Sequence, residues 1–170
     1  MNFEVIFFFL VAASAVASAI LMVTQRNPIK SVLFLIVNFF CLALIYLILH
    51  AQFIAIIQVL VYAGAIMVLF LFVIMLLNLG DETKLEDKMS YKKTIAYILA
   101  GMVLLEVLIG MGLPFGIAAL PQNPKALEIG TVEYIGKSLY TEYLLPFEIT
   151  SMLLLAAIVG VIVLAKKKFQ

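Results

Sequence analysis

The fold of this chain is decided by residues 53–78, which read FIAIIQVLVYAGAIMVLFLFVIMLLN. As one α-helix these 26 residues would extend about 39 Å, whereas the hydrocarbon core of a bilayer is about 30 Å thick. The excess length must be taken up by tilt, by protruding ends or by a local change of winding. Gln58 and Tyr62 share a face at i, i+4 spacing, and Gly64 permits close packing, a bend or a π-bulge. The run predicts a membrane helix with a weak point near its middle.

The composition places this helix in a polytopic membrane protein. Of the 170 residues, 66% are hydrophobic and 12% are charged, and the charged residues cluster between long apolar runs. These proportions exclude an ordinary soluble globule. The short alternating segments of a transmembrane barrel do not occur, and no basic, aromatic-interleaved patch indicates a nucleic-acid partner. We therefore expect an all-α integral membrane protein surrounded by the lipid bilayer.

Five long apolar runs predict five transmembrane helices, which form a single membrane domain over residues 1–170. The first run is too long for a signal-peptide core and is interpreted as an uncleaved span. Several prolines before the last run predict an outer loop at residues 114–142, with a short amphipathic piece around 129–139. The predicted spans are residues 3–23, 31–49, 53–78, 94–113 and 143–165.

The basic residues orient the predicted spans. All of the eleven Lys and Arg residues except Lys125 and Lys137 fall on one side of the membrane. By the positive-inside rule that side is the cytoplasm, so the N-terminus is predicted outside and the C-terminus in the cytoplasm. In this frame the polar candidates within the apolar runs lie in the outer half of the bilayer: Gln58, Tyr62, Glu106 and Glu148.

Small and polar residues in the first two spans predict contacts between helices. Residues 13–19, ASAVASA, contain three overlapping small-xxx-small pairs, which predict a docking face for a helix of this chain or of another. Asn38, near the middle of the second span, is expected to hydrogen-bond a neighbouring helix rather than a ligand. His50 is the single histidine, and its place in the turn before the third span favours an interfacial role over proton handling.

Two acidic residues in apolar runs are candidates for proton chemistry. Glu106 lies deep in the fourth span, where a charge costs about 2.5–3.5 kcal/mol on insertion scales, so it must face protein or water, find a partner or be protonated. It is interpreted as a proton-exchanging group or as a static interhelical hydrogen bond, at a depth where it would meet Tyr62 if the two helices pack side by side. Glu148 stands near the start of the fifth span, where the helix dipole alone can account for an acid.

The sequence lacks the residues that redox cofactors require. One histidine and one cysteine cannot supply a four-thiolate iron–sulfur site or a bis-histidine haem. There is no Gly-x-Gly-x-x-Gly or P-loop motif for a nicotinamide, a flavin or a nucleotide. The chain is therefore predicted to carry no cofactor and no metal, and an enzymatic role must come from an assembly to which it belongs.

Two strings in the chain are distinctive enough to indicate a family. Residues 61–70, VYAGAIMVLF, resemble the third membrane helix of subunit J, also called chain 6, of proton-pumping NADH:quinone oxidoreductase (respiratory complex I). Residues 145–155, LPFEITSMLLL, resemble the start of the last helix of the same family, and residues 26–30, RNPIK, resemble the loop between its first two helices. The resemblance extends over residues 26–155.

The resemblance implies a membrane-arm subunit that helps to couple quinone reduction to proton translocation through a conformational change of its third helix. In the family this helix switches between regular α winding and a π-bulge near residues 62–64, and the part beyond the bulge rotates to make or break a water path. By this resemblance Gly64 tolerates the altered winding, and Tyr62 supplies a hydroxyl that bridges waters. Val68, with Leu69 and Phe72, excludes water when rotated inward.

The remaining candidates for the gate and proton path carry different roles. Some relatives have an acid in place of Gln58, and the amide found here orients protons without holding one. Glu148 precedes the SMLLL run at residues 151–155 within the stretch that resembles the last family helix. Glu106 is a candidate because of its depth in the membrane and matches no family motif. The full set of candidates is Gln58, Tyr62, Gly64, Val68, Glu106 and Glu148.

Partners, cofactors and location follow from the same resemblance. The expected neighbours are the quinone-site subunit, the small K-type subunit and the antiporter-like subunits, with FMN, iron–sulfur clusters and quinone held by other subunits. The expected location is the cytoplasmic membrane of a prokaryote. Two alternatives stay open: the equivalent subunit of a membrane-bound hydrogenase or multisubunit cation/proton antiporter, and a passive scaffold for packing helices.

Overall fold

The computed structural model describes residues 3–77, 90–112 and 126–166, and every regular element in these ranges is helical. This confirms the all-α prediction over the described part of the chain. Three consecutive elements, α3, the π segment and α4, form one continuous helix, called the third helix below. The elements are α1 (Phe3–Thr24), α2 (Pro28–Ile48), α3 (Gln52–Ile57), the π segment (Gln58–Ile66), α4 (Met67–Leu77), α5 (Ser90–Gly112), α6 (Ala126–Ile129), α7 (Val132–Thr141) and α8 (Leu144–Ala165).

The structure contains helices that could span a membrane at the positions of the apolar runs. Within the described ranges, four helices are long and apolar enough to cross a membrane, namely α1, α2, the third helix and α8. The fifth candidate, α5, has a shorter apolar part, Ile95–Ile109. The chain is therefore a multi-pass membrane protein with four to five candidate spans. Asn78, Leu113 and the first part of the predicted outer loop, residues 114–125, lie outside the described residues.

The second helix begins at Pro28 rather than at Ser31, where the sequence predicted its start. The Asn27 side-chain oxygen accepts hydrogen bonds from the backbone N–H groups of Ile29 at 2.9 Å and Lys30 at 3.3 Å. These bonds satisfy two of the N–H groups that a helix leaves unpaired at its start. Proline fits the first helical position because its missing N–H would have no partner there. Pro28 therefore opens α2.

Polar groups fasten α1 to α2. The Asn38 side-chain amide donates to the Ala15 carbonyl at 2.8 Å and to the Ser18 hydroxyl at 3.2 Å. Nearer the turn, the Ser31 hydroxyl donates to the Met22 carbonyl at 2.7 Å. Ser18 is buried, so part of the small-residue face predicted on α1 docks against a helix of this same chain. Asn38 bonds a neighbouring helix, as its position in the span predicted.

Replacing Asn38 with leucine is expected to weaken the α1–α2 pair. Leucine has a similar size, and the substitution removes both interhelical hydrogen bonds of Asn38. Such bonds contribute about 0.6 kcal/mol on average and up to about 1.7 kcal/mol in membrane helices. We expect the free energy of unfolding in mixed micelles to fall by that amount. The exposed neighbour Val37 provides the control, because Val37→Leu should leave this free energy unchanged.

The later helices are arranged around α7. This helix, which corresponds to the short amphipathic piece predicted around residues 129–139, packs against α3 and against α8. The rings of Tyr140 on α7 and Phe147 on α8 meet edge to face, with centroids 5.2 Å apart. Among the described helices, α8 contacts α7 alone and α5 contacts none. The compact part of the molecule is therefore α1, α2 and the third helix, with α7 docked at one end.

Candidate functional site

The candidate site is the π segment together with the face of α2 against which it lies. The π segment is Gln58–Ile66, and at its end the Met67 N–H donates to the Tyr62 carbonyl, five residues earlier. Such i→i+5 bonds are rare and are frequently found at functional sites. Tyr62 and Gly64 both lie within the segment. The apolar run that decides the fold is thus the part of the chain with unusual winding.

Gly64 lies close to the backbone of its own helix. A Cβ atom on Gly64 would lie 3.2 Å from the carbonyl oxygen of Val59, which precedes it by five residues. This separation is shorter than ordinary van der Waals contact, so a side chain at Gly64 would press on the backbone of the same segment. Glycine avoids the contact because it has no Cβ. The glycine therefore fits the winding, and the contact is within the helix rather than with a neighbour.

The winding also sets which side chains of the third helix face α2. An α-helix with 3.6 residues per turn would place Met67 about 120° around the axis from Ala55. Ala55, Ala63 and Met67 are nevertheless all buried, and the third helix contacts α2 along all three of its parts. The wider turn of the π segment brings Met67 back to the side occupied by Ala55. A return to continuous α winding would rotate α4 so that Met67 no longer lies on the side occupied by Ala55.

The ring of Tyr62 is held by an aromatic neighbour on α2. Its ring centroid lies 6.0 Å from that of Phe39, with the two planes at 80°. Edge-to-face pairs of this kind contribute about 0.5–1.5 kcal/mol beyond the area that they bury. Tyr62 remains 46% exposed, so this chain covers only about half of the residue. The Phe39 contact fixes the ring while leaving the other side of the tyrosine accessible.

Gln58 and Val68 occupy opposite environments on the same helix. Gln58 is 8% exposed and is one of two buried polar residues in the described part of the chain, the other being Ser18. Val68 on α4 is 42% exposed, and Leu69 and Phe72 are exposed as well. In the present winding the three apolar residues expected to exclude water therefore face away from the core, while the amide lies within it.

The two acids of the predicted site lie on other helices. Glu106 is on α5, which contacts no other described helix, so the structure does not bring it to Tyr62. Glu148 is the fifth residue of α8, and its backbone carbonyl accepts a hydrogen bond from the Ser151 hydroxyl at 2.7 Å. Both side chains are exposed. Four of the six candidates, Gln58, Tyr62, Gly64 and Val68, thus share one helix, and the two acids stand apart.

Two residues that the structure adds to this region were not among the candidates predicted from the sequence. Phe39 is one aromatic residue among many in an apolar run, and only its contact with Tyr62 distinguishes it. Gly130 lies next to the turn that begins the third helix. In the sequence, Gly130 is marked only by the Thr131 that follows it, a residue type that often caps helices. The Thr131 hydroxyl caps α7 by accepting a hydrogen bond from the Tyr134 N–H at 3.3 Å.

An apolar groove borders the π segment. It has a volume of about 430 Å³ and lies between α2 and the third helix. Every lining residue is apolar, so the groove offers space without hydrogen-bonding groups; the lining is Phe40, Ala43, Leu44, Leu47, Ala55, Ile56, Val59 and Leu60. In the described ranges, no three His, Cys, Asp or Glu side chains are placed to hold a metal ion together.

Comparison with known proteins shows a family to which the sequence is similar. The family model described as NADH-ubiquinone/plastoquinone oxidoreductase chain 6 matches residues 18–164. NADH-quinone oxidoreductase subunit J of Buchnera aphidicola subsp. Schizaphis graminum is 35% identical over 161 residues, which cover 95% of this chain and 97% of the relative. The subunit J of Pseudomonas aeruginosa is 36% identical over 160 residues, covering 90% and 91%. The chloroplastic NAD(P)H-quinone oxidoreductase subunit 6 of Physcomitrium patens is 34% identical over 168 residues, covering 96% and 84%.

Proposed function

Because this chain belongs to the NADH-ubiquinone/plastoquinone oxidoreductase chain 6 family and is a subunit of that enzyme complex, we propose that it couples quinone reduction to proton translocation through its third helix. The observation that carries the proposal is the π segment Gln58–Ile66 within a 26-residue membrane helix. The coupling step is a change between this winding and continuous α winding. Other subunits hold FMN, the iron–sulfur clusters and quinone, and this chain carries no redox centre.

The geometry of the third helix supports a rotation. One residue corresponds to about 100° of turn in an α-helix, so loss of one π-type turn rotates everything beyond it by about that angle. Counted at 100° per residue in continuous α winding, Leu69, now exposed on α4, would then lie about 40° from the side of Ala55, whereas Val68 would lie about 140° from it. Apolar side chains of α4 that face the interior interrupt a chain of water molecules. When these side chains rotate away, the chain of water molecules forms again. The helix therefore acts as a gate on a water path.

Space and contacts beside the π segment are suited to two discrete arrangements. Packed protein interiors resist continuous deformation, so switching elements need an alternative place for their side chains. The apolar groove lined by Val59 and Leu60 provides unfilled volume next to the segment. The Phe39 contact holds Tyr62 in the present arrangement and would be remade or lost with rotation. These features support a two-state helix.

The complete chain is proposed to be one membrane domain over residues 1–170, with the N-terminus outside and the C-terminus in the cytoplasm. The bias of Lys and Arg toward one side supports this orientation. Bacterial relatives support the cytoplasmic membrane of a prokaryote as its location. The proposed neighbours are the quinone-site subunit, the K-type subunit and the antiporter-like subunits. Their helices would cover α5 and α8, whose apolar side chains are exposed.

The proposed gate and proton path consist of the six candidate residues, namely Gln58, Tyr62, Gly64, Val68, Glu106 and Glu148. The matched relatives are named as NADH- or NAD(P)H-quinone oxidoreductases, which favours this function over that of a hydrogenase or cation/proton antiporter subunit. The passive scaffold remains the rival reading, since the same contacts hold helices together whether or not they move.

Replacing Tyr62 with phenylalanine tests the water path directly. The ring and its Phe39 contact are kept, and only the hydroxyl that bridges waters is removed. One hydrogen bond of this kind contributes about 0.5–1.5 kcal/mol, so we expect proton translocation per electron to fall about 2- to 10-fold. Proton uptake and NADH oxidation are measured together in vesicles that contain the assembled complex. The control is Tyr97→Phe on α5, which should retain the native ratio; a native ratio in Tyr62→Phe would contradict the role of the hydroxyl.

A further inference from the structure

The turn before the third helix is closed by backbone bonds alone. The Ala51 N–H donates to the Tyr46 carbonyl at 2.9 Å, and the His50 N–H donates to the Leu47 carbonyl at 3.0 Å. This pair of bonds ends α2 in a Schellman motif, with His50 in the left-handed conformation at φ 59°. α3 begins immediately afterwards, at Gln52. The start of the third helix is thus tied covalently and tightly to the end of α2.

The first turn of α3 takes its cap from a distant part of the chain. Ala51 provides no side-chain cap, and the N–H of Phe53 instead donates to the carbonyl of Gly130 at 3.1 Å. The first N–H groups of a helix have no partner within it, and the positive end of the helix dipole favours an oxygen at this place. The Gly130 carbonyl therefore satisfies an otherwise unpaired donor at the start of the third helix.

Only glycine fits at position 130. A Cβ atom there would overlap the carbonyl oxygen of His50 and would lie 3.2 Å from the Cα of Ala51. Both are backbone atoms of the turn, and they cannot swing aside as a side chain can. A larger residue must therefore separate the α6–α7 connection from the turn and lengthen or break the bond to Phe53.

The segment that carries Gly130 is itself held in place. The Thr131 hydroxyl donates to the Glu128 carbonyl at 2.7 Å and also caps α7. α7 packs against α3 on one side and against α8 on the other. The contact at Gly130 consequently joins the start of the third helix to a helix pair, α7 and α8, rather than to a free loop.

We propose that Gly130 is a positioning residue that holds α3 still, so that a change of winding in the π segment turns α4. The inference rests on the function proposed above. A change of winding fixes only the rotation of the two ends relative to each other, by about 100° for one residue. The end with the tight turn and the Gly130 bond remains in place, and the rotation appears at the other end. Without the contact, both ends would share it.

Spin labels on the two ends test this directly in the assembled complex. The single cysteine of this chain, Cys41, is replaced by serine, and nitroxides are attached at position 54 on α3 or position 75 on α4, where Ile54 and Met75 are exposed. In the native background, NADH-driven turnover should change the spectrum at position 75 and leave position 54 unchanged. In Gly130→Ala, position 54 should change as well. Proton translocation per electron should fall to about half, because α4 then receives only part of the rotation.

Two matched variants separate positioning from folding. Gly136→Ala adds the same methyl group on α7, where a Cβ meets nothing within 4 Å, and it should behave as the native chain. Phe53→Pro removes the N–H that bonds Gly130, at a helix position that tolerates proline; Phe53→Leu keeps the N–H and is its control. If Gly130→Ala does not assemble, the labels in Phe53→Pro decide the outcome.

The results distinguish this inference from the function on which it rests. The positioning role would be overturned if, in the assembled Gly130→Ala or Phe53→Pro complex, the spectrum of the label at position 54 stayed unchanged during turnover and the ratio of protons to electrons stayed native. This result would leave the gate intact. An unchanged spectrum of the label at position 75 during turnover in the native background would overturn the gate itself. Movement at position 54 in Phe53→Pro, but not in Phe53→Leu, is the result that supports the positioning role.

Discussion

Gly64→Val is expected to leave the complex assembled and to remove most of its proton translocation. In the π winding a Cβ at this position lies 3.2 Å from the Val59 carbonyl oxygen, and valine adds two further methyl groups. Overpacking of this kind costs about 1–3 kcal/mol, which would lower the population of the π state about 5- to 150-fold relative to continuous α winding. A helix that cannot reach one of its two states cannot operate a gate, so electron transfer and proton translocation become uncoupled.

The measurement compares protons moved with NADH oxidised in sealed vesicles, and native gel electrophoresis checks the assembly of the complex. Ala65→Val is the matched control, because it places the same β-branched residue in the same segment at an exposed position that already has a Cβ. It should keep the native ratio. A native proton-to-electron ratio in the assembled Gly64→Val complex would contradict the proposal that the third helix acts as a gate.

Glu148→Gln is expected to lower the rate of coupled proton translocation on the order of 100-fold, as the loss of a proton-transfer group typically does. Glutamine has nearly the same shape as glutamate and can occupy the fifth position of α8 without its charge, which the positive end of the helix dipole favours there. The substitution therefore removes the titrating group and leaves packing unchanged. The rate is measured in vesicles with NADH as donor, after the amount of assembled complex has been equalised.

The substitution Glu106→Gln distinguishes the two interpretations of Glu106, as a proton-exchanging group and as a static interhelical hydrogen bond. A proton-exchanging Glu106 predicts a loss similar to that of Glu148→Gln, whereas a static hydrogen bond predicts retention, because the amide still donates and accepts. Glu142→Gln, at the end of α7, is the control outside the predicted spans and should not change the rate. Full coupled activity in an assembled complex that carries both Glu106→Gln and Glu148→Gln would favour the passive scaffold.

The local sequence was sufficient to predict the helices and several of their contacts. Long apolar runs have no other stable form in a bilayer than helices whose backbone groups are paired internally, and the all-helical structure follows from this. Asn38 was correctly expected to bond a neighbouring helix, because an amide in an apolar run needs a partner. The predicted apolar span begins at residue 31, and the sequence did not show that α2 already starts at Pro28, since proline both ends helices and begins them and only the Asn27 bonds to Ile29 and Lys30 decide between these roles.

By itself, then, the sequence determined the class of protein, the apolar helices and the third helix as their exceptional member, because length and polarity act through neighbours along the chain. The tertiary structure alone decided that Phe39 meets Tyr62 and that the carbonyl of Gly130 caps the helix at Phe53. It also decided that Ala55 and Met67 face the same side. These features join residues that are far apart in sequence. Some of the contacts are made by backbone atoms, and the others depend on π winding, which departs from the 3.6 residues per turn of an α-helix. No pattern of side-chain types along the chain carries that information.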